Sequence, residues 1–186
     1  MQILQILIKI AAFVPWEKLI KFIMSEFGDD EKVKKAVAEN MPEDLPRLDW
    51  MRIAMGELGQ KEIPGHRSNP RIVEYGKSVS LNITDDSVPW CASFVSHCLE
   101  MAQVKSTRSA MARSYEKWGA AIEPHYGCVV VMWRKSLESG SGHAGFYVGQ
   151  DPNNKNNIML LSGNSNNQVR ISSYTKDRIL SYRWPE

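Results

Sequence analysis

A cysteine in "VPWCASFV", a histidine in "SGHAGFYV" and an asparagine in "LLSGNSNN" are the residues of this chain whose types suit nucleophilic acyl chemistry: Cys91, His143 and Asn164. A thiol attacks a carbonyl as its thiolate, and an ordinary pKa of about 8.5 leaves only a few per cent ionised at neutral pH. The positive end of a helix dipole and a neighbouring imidazole both favour ionisation. Pro89, two residues before Cys91, is at home at or just ahead of a first helical turn, so the spacing predicts a helix headed by Cys91.

The imidazole is sought in "SGHAGFYVGQDPNNKNNIMLLSGN", which reads as two strands joined by a loop over Asp151 to Asn156. If Gln150 pairs with Asn157, the same register sets His143 opposite Asn164. Opposed residues project to one face with Cβ atoms about 5 Å apart. The carboxamide would then orient the ring, as the third member does in Cys-His-Asn arrangements. A slip of one residue would turn Asn164 to the other face. Gly142 and Gly163, beside these two residues, would let a substrate backbone come close.

Each of these residues also has a plain structural reading. Cys91 shares a helical face with Phe94 or Val95 and with Cys98, as a buried core thiol would. His143 alone reads as an exposed or satisfied histidine, and Asn164, between Gly163 and Ser165, as a turn residue. Asp86 and Trp90 either line a substrate cleft or serve as a capping acid and a packing aromatic. Cys98, Cys128, His66, His97 and His125 read as structural or surface residues.

The elements that must position these groups follow from periodicity. "DWMRIAMGELGQ", with Asp49 as cap and Gly59 as stop, and "NPRIVEYGKSV", from Pro70, read as helices ahead of the Cys91 helix. "GCVVVMW", "GHAGFYVGQ", "NIMLLSGN", "QVRISSYT" and "RILSYRW" then read as about five short strands. Helices followed by neighbouring strands predict an α+β domain over residues 46–186, with an antiparallel sheet packed by helices. Residues 1–45 carry two amphipathic stripes, Ile3 to Val14 and Trp16 to Phe27, and a short charged helix to about Asn40, before a proline-rich linker. This helical appendage is expected to pack on the domain, with self-association, a partner or targeting as the other roles.

The chain has 186 residues, of which 23 are basic and 21 acidic, and no dense basic stripe, which argues against nucleic-acid binding. Three cysteines, an odd number, argue for free thiols, and the scattered histidines argue against a metal site. "MQILQILIKIAAFV" is short, interrupted by Lys9 and followed by Pro15 and Trp16, so neither a signal peptide nor a membrane span is expected.

"PWCASFVSHCLE", a Gly-x-Val strand start, "GHAGFYVG" and "GNSNNQV" together resemble the papain-like cysteine amidases and peptidases of bacterial cell walls. These are the CHAP and NlpC-type group, in particular its phage lysin-like branch. "ELGQKEIPGHRSNPRIVEY" and the closing "YRWP" are similar to the same branch, so the likeness spans about residues 47–185. It implies a papain-like fold, cleavage of an amide bond in peptidoglycan and no cofactor. It also implies Cys91 as nucleophile, His143 as base and Asn164 as orienting residue. A phage or prophage endolysin, made in the cytoplasm and delivered to the wall, fits first; an antibacterial effector, an acyltransferase on the same fold and a non-catalytic wall-binding module are the alternatives. Where such sequences often read Gly-Asp-Val, this one has Gly127, Cys128 and Val129.

Overall fold

The computed structural model describes residues 48–151 and 153–186; the stripes, charged helix and most of the linker expected before residue 48 lie outside them. The fold is α+β, with three α-helices ahead of an open antiparallel sheet of six strands. The helices are α1 (Asp49–Gly56), α2 (Pro70–Gly76) and α3 (Cys91–Met101). The strands are β1 (Ala120–Ala121), β2 (Val129–Trp133), β3 (Gly142–Gln150), β4 (Asn157–Ser162), β5 (Arg170–Thr175) and β6 (Ile179–Trp184), in the spatial order β1-β6-β2-β3-β4-β5. The strand beyond the five expected is β1, two alanines paired with Trp184 and Arg183. Such a segment is too short to leave a periodicity of its own.

Local sequence explains the helix ends. Asn69 caps α2 by accepting the N–H of Arg71 at 2.9 Å, and Pro70 opens it. Asp49 is not the cap expected of it: Leu48 takes that position and Asp49 lies in the first turn, where a carboxylate suits the helix dipole. α1 ends at Gly56, before the Gly59 stop. Gly59 instead turns the chain at φ +82° and donates its N–H to Val169 O at 2.9 Å.

α3 lies at the centre of the molecule, and every residue from Cys91 to Leu99 is buried. Its apolar side chains meet Met55, Leu58 and Tyr75 from α1 and α2, and Val131, Ala144, Phe146 and Leu161 from the sheet. The other sheet face carries a smaller cluster of Cys128, Val130, Met132, Ile158 and Leu160. A buried polar knot pins the three helices together. Glu57 accepts from Arg71 Nε at 3.0 and 3.1 Å and from the Tyr75 hydroxyl at 2.7 Å, and His97 Nε2 lies 3.4 Å from Arg71 Nη2. Burial alone would raise the Glu57 carboxyl, but these hydrogen bonds outweigh it and hold its pKa below the usual range.

Among the described residues no helix is long and apolar enough to cross a membrane.

Candidate functional site

Cys91 is the first residue of α3, and Trp90, the N-cap, provides no side-chain cap. The first-turn N–H groups therefore have no side-chain oxygen on them. The backbone N–H groups of Ala144, Ala92 and Cys91 itself favour the thiolate, and Arg134 adds a favourable charge. Burial outweighs all of them: the side chain is 5% exposed and its thiol pKa is pushed up. Cys91 thus rests as a neutral thiol against the amide of Ala144, the residue after His143.

His143 is 4% exposed, and burial, with Arg134 as the second cause, holds its pKa down at about 4. Its ladder partner is Met132, so the ring is borne on the sheet face of Met132, while Ala144, paired with Val131, faces α3. There its Nε2 lies 3.0 Å from Ser162 Oγ and 3.2 Å from the Tyr174 hydroxyl. No hydrogen bond joins the Cys91 sulfur to the imidazole. Cys91 thus meets β3 at Ala144, while His143, the preceding residue, carries its ring to the other side of the strand.

The expected partner, Asn164, is not on His143. The pair beside the loop is Gln150 with Ile158, one residue from the expected Gln150–Asn157. An irregularity between Tyr147 and Gly149 then gives Tyr147–Leu160 and Phe146–Leu161, the pairs the sequence register requires. β4 stops at Ser162, however, and Asn164 sits beyond it at φ +52°, in a turn with Asn166 and Asn167 that are also left-handed. Asparagine tolerates that conformation, which accounts for the Asn-rich run. Ser162 and Tyr174 were missed because a serine and a tyrosine in alternating strands carry no signature of chemistry. The one available signal was that they alternate onto the same face as His143.

Three other expectations change. Trp90 is fully buried and donates its indole N–H to Glu62 Oε1 at 2.9 Å, so its ring is packing, not cleft wall. Asp86 borders a groove, but its Oδ2 accepts the N–H groups of Ile63 at 3.0 Å and Asn69 at 2.7 Å, which makes it a loop clamp. The glycines serve close packing rather than substrate approach. A Cβ on Gly163 would lie 2.5 Å from the Trp90 ring and 2.6 Å from Phe94 Cβ, and one on Gly142 2.6 Å from Arg113 Cγ. Cys128, in the place of the acid, is buried beside Val130 and Leu160, and burial pushes its thiol up to about 11. That environment suits a thiol better than a carboxylate.

The groove has a volume of about 350 Å³ and is walled by Lys61, Glu62 and Ile63, by Asp86 and Ser87, and by Asn166, Asn167 and Gln168. Its walls are strapped together, since Glu62 donates to Asn167 O at 2.9 Å and Val169 to Gln60 O at 2.8 Å. Among the described residues no group of three or more His, Cys, Asp or Glu is placed to hold a metal. Comparison with protein-family models, curated proteins and solved structures finds no match to this chain.

Proposed function

We propose that this chain is a cysteine hydrolase of papain-like architecture that cleaves an amide bond in peptidoglycan. The observation that carries the reading is Cys91 at the uncapped start of α3, ringed by the N–H groups of Ala92, Ala144 and its own backbone, one β3 residue from a buried imidazole. The motif likeness to wall amidases and peptidases supplies the substrate class.

In this mechanism the Cys91 sulfur attacks the amide carbonyl as His143 Nδ1, the nitrogen not held by Ser162 and Tyr174, takes the thiol proton. For this step the Cys91 sulfur must come within proton-transfer reach of Nδ1 while Nε2 stays on Ser162 and Tyr174. The first-turn N–H groups of α3 stabilise the oxyanion. His143 returns the proton to the leaving amine, and water releases the acyl group from sulfur. With both groups neutral at rest, the thiolate forms during attack rather than before it. A phage or prophage lysin is the setting that fits best.

The test is mass spectrometry of fragments released from purified peptidoglycan by the wild type and by Cys91→Ala. New paired amine and carboxylate ends, reduced at least about a thousandfold in the variant, support the reading and name the bond. Equal release by both proteins ends it. One observation favours a second reading, a non-catalytic wall-binding module: the sulfur and imidazole are both buried and share no hydrogen bond. Wall sedimentation by a wild type that releases no fragments would select it.

A further inference from the structure

We infer that Ser162 and Tyr174, rather than Asn164, are the residues that position His143. The inference rests on the hydrolase reading for its kinetic consequence, but its geometry is independent of it.

A neutral imidazole has one donor nitrogen and one acceptor nitrogen, and what engages one decides the state of the other. Here Nε2 is engaged twice, at 3.0 Å by Ser162 Oγ and at 3.2 Å by the Tyr174 hydroxyl. The Tyr174 ring also packs on the imidazole, with centroids 5.4 Å apart and planes inclined by 30°. Ser162 is fully buried, so no bulk water competes for its hydroxyl. Behind this pair the hydroxyls continue: Tyr174 OH lies 3.5 Å from Ser162 Oγ and 2.8 Å from Ser165 Oγ, and Ser165 Oγ lies 3.3 Å from Ser172 Oγ.

The row can run either way, and the outward direction is the one that suits a base at Nδ1. Nε2–H donates to Ser162, Ser162 to Tyr174, Tyr174 to Ser165, and Ser165 to Ser172, each hydroxyl donating once outward. That direction leaves the Nδ1 lone pair as the base. When Nδ1 accepts a proton, the S–H bond breaks and an N–H bond forms. Nε2 keeps its own proton, and the positive charge of the ring is met by oriented hydroxyl oxygens. No proton travels along the chain. A carboxamide oxygen at Nε2 would be a fixed acceptor; a hydroxyl is not, so the tautomer is fixed by the polarity of the whole row. Asn164 takes no part, since its side chain makes no hydrogen bond within the described residues.

The experiment is NMR of the full chain with 15N-labelled histidine, on the wild type and on Ser162→Ala, Ser162→Thr, Tyr174→Phe and Asn164→Ala, with kcat and KM measured on the same samples. The expected wild-type His143 is the Nε2–H tautomer with a proton protected from exchange. Ser162→Ala and Tyr174→Phe lose that protection and lower kcat about tenfold, the size of one hydrogen bond, with KM unchanged. Ser162→Thr, which keeps the hydroxyl, restores both, and Asn164→Ala changes neither by more than about twofold. A wild-type Nδ1–H tautomer overturns the inference, as does a His143 signal that responds to Asn164→Ala and ignores Tyr174→Phe, an isosteric change. A wild type without any hydrolysis but with the expected tautomer response would remove the hydrolase reading and leave the anchoring of the ring in place.

Discussion

Arg134, exposed at the end of β2, acts on both members of the proposed catalytic pair through its charge, favouring the thiolate of Cys91 and disfavouring protonation of His143. Replacing it by glutamine should move the acid limb of kcat/KM upward from near 4, because a neutral neighbour no longer opposes the imidazolium. The limb should stop short of an ordinary histidine value, since burial is the larger cause and remains. A pH–rate profile of Arg134→Gln checks this; a downward movement of the limb would show that another group sets it. The cysteine and histidine were legible as chemical candidates because their residue types restrict what they can do. Ser162 and Tyr174 were not, because hydroxyl side chains in a strand are common and become informative only once a neighbouring ring is located.

At the scale of elements, the three helices and five strands of six were legible from period, capping residues and glycine or proline breaks. The ladder between β3 and β4 was not, because one irregular residue near Val148 shifts the pairing beside the loop while leaving the alternation unchanged. Whether a strand continues for two residues more is likewise decided by tertiary packing, and that decision removed Asn164 from His143. The seam between α3 and β4 supplies a prediction. Gly163→Ala drives a methyl into Trp90 and Phe94, both fully buried, and should cost about 1 to 3 kcal/mol. Gly56→Ala, at the exposed last residue of α1 with nothing within 4 Å, should instead stabilise by about 0.5 to 1 kcal/mol. Urea unfolding of the two variants measures both signs, and equal midpoints would contradict the packing described for Gly163.

Over the whole molecule, buried titratable groups set the dependence of stability on acidity. His143 is depressed from 6.5 to about 4, so between those values the unfolded chain binds a proton that the folded chain does not. Its contribution is complete above about pH 6.5 and is lost as pH falls toward 4, a difference of about 3 kcal/mol. His97, lowered chiefly by burial and then by Arg71, acts in the same direction. Glu57 adds to the loss further down, as its carboxylate is protonated. Chemical denaturation at pH 7.5 and 4.5 should show a marked loss, and His143→Gln should flatten that slope in part; an unchanged slope would mean that His143 titrates normally. None of this was legible in the sequence, where His143 and His97 differ in nothing that reports burial. The overall class, by contrast, was legible from the order of helices before strands.

Because Gly59, Gln60 and Glu62 are tied by backbone hydrogen bonds to Val169 and Asn167, and Asp86 clamps Ile63 and Asn69, all three sides of the groove belong to one stiff frame. The opening therefore keeps its shape of about 350 Å³, so anything that fits it would meet walls already in place.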